Sequence, residues 1–239
     1  MEKAIIIGAT SGIGRALAET LDAKGYAVGI TGRRVELLDN VLDHLSDPAE
    51  AEPMDVTDTE EARQRFDALV ERLGGVDLVI ISAGVGYVDE AESWPHVRQT
   101  VETNAVGFAA LADAAFRHFE TAEGGHLVGI SSVAAVRENG AAPAYHASKT
   151  FASRYLAGLR HRAAQAGLPI AVTDVRPGFV DTAMAKGDGL FWVATPERAA
   201  SQIIRAIKRQ SRTAYVTRRW RGVAALLKML PGWLYRRVV

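Results

Sequence analysis

The sequence predicts an α/β fold in which a single domain is built on a doubly wound parallel sheet of seven strands. Three observations predict it. Short apolar runs alternate with helical stretches from end to end. Runs such as AIIIG near the N-terminus and VDLVIIS at 76–82 are continuous rather than alternating; strands covered on both faces read in this way, and their parallel pairing needs helical crossovers. No Pro/Gly/Ser-rich linker, low-complexity tract or fixed-period repeat interrupts the 239 residues.

The strand-like segments lie at 3–8, 26–31, 76–82, 125–131, 169–175 and 213–217, with a weak one near 51–54. Two βαβαβ halves followed by a final strand give the expected order 3-2-1-4-5-6-7. Gly74-Gly75 and Gly124-Gly125 fall just before strands, where helix-to-strand loops belong. From Trp220 a helical pattern places Trp220, Val223, Leu227, Leu230 and Leu234 on one face, with Arg221, Lys228, Arg236 and Arg237 as cations. Pro231 is expected to kink or split that helix.

Composition narrows the function classes. At 48% hydrophobic and 23% charged residues, the chain is of ordinary globular type rather than disordered or collagen-like. The absence of cysteine removes disulfides, thiolate nucleophiles and Cys-ligated zinc. The six histidines show no ligand spacing, so no catalytic metal is expected. The first apolar run breaks at Thr10 and Ser11, too early for a signal peptide, and no stretch reaches the roughly 18 apolar residues that span a bilayer. A cytoplasmic location follows as the default.

Net charge is zero, yet residues 198–239 hold 11 Lys/Arg and no acid, whereas the preceding residues hold 17 basic and 28 acidic. Such an end can meet an anionic membrane or nucleic acid. Contact with the acidic body, the substrate pocket or a neighbouring subunit is the favoured reading, and no nucleic-acid-reading motif accompanies the charge.

Gly8, Gly12 and Gly14 stand in G-A-T-S-G-I-G between the first strand and a helix beginning near Ile13. There the backbone must turn tightly and approach a pyrophosphate, which the positive end of the helix then faces. This is the dinucleotide cradle of a Rossmann-type sheet, with Thr10, Ser11 and Ile13 inside it. The second strand ends in Gly32-Arg33-Arg34 rather than in an acid. An acid there binds the ribose hydroxyls of NAD, whereas arginine suits a 2′-phosphate, so with Arg15 and a donor at Ser11 the pocket suits NADP(H). Arg15 and Arg34 each also read as solvated helix residues. Asp55, followed by Val56, either touches the adenine or caps a helix starting near Thr57, and both readings stay open.

Tyr145 and Lys149 lie four apart on one face of an expected helix. A cation near a phenol lowers its titration point from about 10 toward the working pH. The preceding strand ends in Ile130-Ser131-Ser132, bringing a hydroxyl to the carboxyl edge of the sheet, where ligands bind.

Over residues 3–185 the chain resembles the short-chain dehydrogenase/reductase family. Ile-Gly-Ala-Thr-Ser-Gly-Ile-Gly is similar to the family's cofactor loop, Ser82-Ala83-Gly84 to the segment after strand four, and Asn104 to the helix asparagine. Ser132 lies at the family's interval from Tyr145, and Arg176-Pro177-Gly178-Phe179-Val180-Asp181-Thr182 is similar to the loop that closes on the nicotinamide. Two positions depart from the pattern: Ile7 stands for the leading threonine, and Ile81-Ser82-Ala83-Gly84 for Asn-Asn-Ala-Gly.

The resemblance implies roles. Tyr145 is the acid/base, Ser132 orients the substrate oxygen, and Lys149 binds the nicotinamide ribose and lowers the tyrosine's titration point. Asn104 holds a proton-relay water, Ala83, Gly84, Pro177, Gly178 and Val180 line the cofactor, and Thr182 bonds the carboxamide. Homodimers or homotetramers are the family habit. Val85, Gly86, Tyr87, Val133, Ala134, Met184, Phe191 and Trp192 are expected around the substrate, which is therefore a hydrophobic carbonyl or alcohol. His146 is assigned a surface or packing role. The expected division is a catalytic domain over 1–217 and a basic amphipathic extension over 218–239. A dinucleotide-sensing protein without catalysis and an NAD-dependent epimerase or dehydratase are the competing readings.

Overall fold

Along β1 (Lys3–Ile7), Ala4 and Ile6 face one side of the sheet while Ile5 and Ile7 face the other, and all four are buried. An unbroken apolar run is what covering both faces requires. A computed structural model of the chain describes residues 1–87, 93–184, 191–232 and 235. In chain order the elements are β1, α1 (Gly12–Asp22), β2 (Ala27–Gly32), α2 (Val35–Leu42), β3 (Ala49–Pro53), α3 (Thr59–Leu73), β4 (Leu78–Ile81), α4 (Trp94–Val101), α5 (Phe108–Thr121), β5 (Gly125–Ile130), α6 (Pro143–Gln165), β6 (Ile170–Pro177), α7 (Pro196–Lys208), β7 (Thr213–Val216) and α8 (Trp220–Met229). The strands form one sheet in the order β3-β2-β1-β4-β5-β6-β7, and every neighbouring pair is parallel.

Helices α3, α5 and α6 cover one face through side chains such as Phe66, Phe116 and Leu156; α1, α2 and α7 cover the other through Leu17, Leu38 and Ile203. The amphipathic pattern of each helix is thus answered by one row of strand residues. Local chemistry sets several boundaries. Asp58 caps α3 by accepting from the Glu61 amide, and Gly74 ends that helix in the left-handed region at φ 68°. Thr195 caps α7, with Pro196 at its first turn.

The weak third strand falls at 49–53 rather than 51–54. It is the sheet edge, and its sequence AEAEP carries two carboxylates. Arg72 pairs with Glu50 and Glu52 at 3.0 and 2.9 Å, and Arg65 with Glu52 at 2.7 Å, so α3 supplies the cations that let these residues lie on the sheet.

Helix α8 stops at Met229, and Leu230 is extended at ψ 128°. Pro231 disfavours the α conformation of the residue before it, and helical bonding resumes beyond it, with the Tyr235 amide donating to Pro231 O at 3.0 Å, so the proline splits the helix as expected. Trp220 and Ala224 of α8 are buried, while Leu226 and Met229 are exposed. Leu234, Arg236 and Arg237 lie outside the described residues. Among the described residues no helix is long and apolar enough to cross a membrane.

Candidate active site

The loop after β1 turns at Gly8, whose φ of 89° favours glycine, and the Gly8 and Ala9 amides donate to Thr31 O at 3.0 and 2.9 Å. At Gly14 a Cβ would collide with the Gly8 carbonyl. The loop is therefore as closely wound as backbone permits, and the first turn of α1 keeps amides without intrahelical partners. Ser11 precedes that turn without capping it. Its hydroxyl instead accepts from Arg34 Nη2 at 3.1 Å, and Thr10 Oγ1 accepts from the same nitrogen at 2.8 Å.

The three arginines differ in placement. Arg34 is drawn over the cradle. Arg33 Nη1 lies 3.8 Å from Asp55 Oδ2 with both side chains nearly half-exposed. Arg15 is engaged along its own helix with Glu19 at 2.8 Å and reaches Asn40 at 3.3 Å. Asp55 accepts from the amide and hydroxyl of Thr57 at 3.0 and 2.8 Å, so it organises the turn after β3, while Asp58 takes the capping role. The Val56 carbonyl fills the space that a Cβ at Gly107 would need.

Tyr145 sits in the first turn of α6, just after Pro143, and Lys149 follows one turn later. They share a face: Lys149 Nζ is 5.7 Å from the centre of the Tyr145 ring. Ser132 Oγ accepts from the Ala134 amide at 3.1 Å, leaving its own proton for the hydrogen bond that it makes to the phenol. The lysine thus stands beside the phenol as its spacing predicts, and burial works against the expected lowering of the phenol's titration point. Burial pushes the phenol above its ordinary 10.0, with Ser132 pulling back, because a phenolate at this half-buried position loses part of its hydration. The ammonium directs its hydrogen bond to Ile130 O at 3.1 Å, and burial pulls it down to about 8 against the charge of Asp174.

Asn104 lies inside a π-helical turn (Glu102–Gly107) joining α4 to α5. Hydrophobic periodicity carries no mark of such a turn, which recurs at functional sites. The buried Asn104 amide donates to Val85 O at 2.7 Å and Ser148 Oγ at 3.1 Å, and its Oδ1 accepts from the Val85 amide at 2.8 Å. Gly84 fits between these groups: a Cβ there would lie 3.2 Å from Lys149 Nζ and 3.3 Å from Asn104 Oδ1. The Ala83 amide donates to Ile7 O at 2.8 Å, pressed against Gly8.

After β6, Gly178 donates to Val216 O at 2.6 Å and Val180 bridges to Ala194. A Cβ at Gly12 would lie 2.9 Å from the Thr182 methyl, so this loop reaches back over the cradle. Gly86, Met184 and Tyr145 converge, since a Cβ at Gly86 would be 3.0 Å from the Tyr145 ring and 3.3 Å from Met184 Sδ. Val133 and Ala134 form a 3₁₀ turn directly after Ser132. Tyr87 is committed elsewhere, stacked on His96 at 4.1 Å with its hydroxyl donating to Gln99. Phe191 and Trp192 join Phe179 and Trp220 in one aromatic cluster, and Trp220 occupies the space above Gly178.

The docking of the C-terminal segment has no counterpart in sequence spacing. Arg137 Nη1 donates to Leu227 O and Leu230 O, both at 2.7 Å, closing the end of α8. Its guanidinium lies 4.5 Å from the Tyr235 ring centre, and the Tyr235 hydroxyl donates to Glu138 O. His146, beside Tyr145, bonds Arg137 O at 2.8 Å, which accords with a packing role. Arg137→Ala is expected to cost about 2 kcal/mol by removing charge-assisted bonds to these carbonyls. In a chain of this size that lowers the melting temperature by about 4–8 °C in calorimetry, and an unchanged melting point would mean that the latch is idle. Among the described residues no cluster of His, Cys, Asp or Glu could hold a metal.

The family model described as short chain dehydrogenase matches residues 2–189. An uncharacterized oxidoreductase of Myxococcus xanthus is 37% identical over 185 residues, covering 74% of this chain and 71% of that protein. One of Mycobacterium tuberculosis is 32% identical over 248 residues, covering 99% and 96%. Among solved structures, a short-chain dehydrogenase from Streptomyces avermitilis aligns with a TM-score of 0.80 at 28% identity, covering 90% of this chain and 88% of that one. An actinorhodin polyketide ketoreductase variant with NADPH aligns with a TM-score of 0.78 at 26% identity, covering 90% and 94%. With the parallel sheet, the glycine cradle and the Ser132, Tyr145 and Lys149 cluster already in place, these matches mean that the chain belongs to the short-chain dehydrogenase family of oxidoreductases.

Proposed function

We propose that the chain is an NADP(H)-dependent oxidoreductase acting on a hydrophobic carbonyl or alcohol, with Tyr145 as general acid/base. The observation that carries this reading is the convergence of Ser132, Tyr145 and Lys149 at the carboxyl edge of the sheet, beside the glycine cradle. The cradle suits a dinucleotide because the loop is tightly wound, with no room for a Cβ at Gly8 against Ala83 or at Gly14 against the Gly8 carbonyl, and the first turn of α1 keeps amides without intrahelical partners. Gly8, Thr10, Ser11, Gly12, Ile13 and Gly14 would hold the pyrophosphate, and Arg33 and Arg34, supported by Arg15, the 2′-phosphate. Asp55 and Val56 would border the adenine, Ala83 and Gly84 the ribose, and Pro177, Gly178, Val180 and Thr182 the carboxamide. When bound, the nicotinamide supplies or accepts the hydride.

In the reductive direction Tyr145 gives its phenolic proton to the substrate oxygen, and Ser132 polarises that oxygen with a hydrogen bond. The raised phenol keeps this proton at neutral pH, which favours reduction. Lys149 holds the ribose and returns a proton to Tyr145. Asn104 would hold the relay water, its side-chain N–H groups being committed to Val85 O and Ser148 Oγ. Gly86, Met184 and the 3₁₀ turn of Val133–Val136 give the substrate an apolar surround. The likeness to the ketoreductase with NADPH supports both the reaction class and the cofactor.

The unit that does this is the domain 1–217, with 218–239 as an extension of which Trp220, Ala224 and Tyr235 are buried. An apolar groove of about 500 Å³ lined by Val97, Val101, Ala105, Pro143, Ala147 and Phe151 supports a homodimer or homotetramer. A panel of hydrophobic ketones and aldehydes, followed by NADPH absorbance, is expected to yield steady consumption with at least one member and slower consumption of NADH. No consumption with any member would remove the reading.

A further inference from the structure

Asp174 stands in β6 with 2% of its surface exposed, and the chemistry above makes no use of it. A carboxylate taken out of water needs charged and hydrogen-bonding partners. Asp174 has three. Ser131 Oγ donates to Oδ1, while Ser153 Oγ and Arg176 Nε each donate to Oδ2 at 2.8 Å. Arg176 also donates to Ser153 Oγ at 2.7 Å and to the Tyr215 hydroxyl at 3.1 Å, which orders the far side of the carboxylate.

The partners lie next to the reacting groups. Ser131 separates Ser132, which bonds Tyr145, from Ile130, whose carbonyl receives the Lys149 ammonium. Ser153 is one turn beyond Lys149 on α6. We propose that Asp174 is a positioning residue: it ties the end of β5 to α6 and so holds Ser132, Tyr145 and Lys149 in register. This inference rests on the reading of that trio given above.

Electrostatics add a second consequence. The charged or titratable groups around Lys149 are Asp174 from β6 and Tyr145 on its own helix, while Asn104 and Ser132 are neutral. Arg176 and Arg160, with Arg212 beside Arg160, face Asp174 and share its charge. Asp174 opposes the downward pull of burial on Lys149. Without the carboxylate, the ammonium would lose its proton at lower pH, because opposite charge is what favours the protonated form.

Asp174→Asn keeps the shape and removes the charge. In cofactor-free protein carrying isotope-labelled lysine, the Lys149 titration followed by NMR, assigned with Lys149→Arg, is expected to move down by about one pH unit. With cofactor and ketone, kcat is expected to fall about tenfold, while KM for NADPH changes less than about twofold. Ser153→Ala, which breaks the tie but keeps the charge, is expected to lower kcat without moving the titration. If Asp174→Asn does not fold, Asp174→Asn/Arg176→Gln leaves no unpaired guanidinium and takes the same measurements. An unmoved Lys149 titration in a folded variant lacking Asp174, or an unchanged kcat, overturns the proposal. A parent chain that turned over no carbonyl would remove the preceding reading and leave the titration to decide this one.

Discussion

Replacing Tyr145 with Phe is expected to leave NADPH binding within about twofold and to lower carbonyl turnover by about a hundred- to ten-thousandfold, the range over which a positioned proton donor acts. The substitution removes the hydroxyl alone. The ring still packs beneath Gly86 and beside Met184, and the helix that carries it, opened by Pro143, does not depend on the phenol. Ser132 keeps its bond from the Ala134 amide, so the substrate oxygen would still find one donor and lack the transferable proton. Cofactor titration by fluorescence and stopped-time product analysis separate the two effects. Turnover near that of the parent would take Tyr145 out of the chemistry.

Arg33→Ala is expected to weaken NADPH by about ten- to a hundredfold and NADH by less than about twofold, since a charge-assisted bond is worth roughly 1.5–3 kcal/mol and each 1.4 kcal/mol is tenfold. The pair that Arg33 makes with Asp55 is long, at 3.8 Å, and nearly half-exposed. Such pairs are weak, so the guanidinium is free to turn to a phosphate. Arg34 already lies over Thr10 and Ser11, and adding Arg34→Ala is expected to widen the preference lost. Dissociation constants for both nucleotides decide the matter: equal losses would mean that Arg33 meets no 2′-phosphate.

The order of the sheet was legible because continuous apolar runs and glycine-marked turns follow directly from covering a parallel sheet on both faces. The third strand was faint for a physical reason: Glu50 and Glu52 carry charge that only Arg65 and Arg72, far along the chain, make tolerable there. The Tyr145 and Lys149 spacing was readable because helix geometry alone places them on one face. Their electrostatics were not, since the rise of the phenol comes from enclosure by other elements and the ammonium is turned to Ile130 O. The π-helical turn under Asn104, the Asp174 tie and the Arg137 latch all depend on contacts between distant segments, and no local pattern encodes them.

The most direct measurement follows a hydride. NADPH carrying deuterium on the nicotinamide carbon that gives up hydride is mixed with a ketone from the reactive panel, and the alcohol product is analysed by mass spectrometry and NMR. One deuterium on the carbinol carbon for each NADPH consumed is the expected result. Label that stays on bound nucleotide, or passes to solvent without reaching the alcohol, would contradict the account.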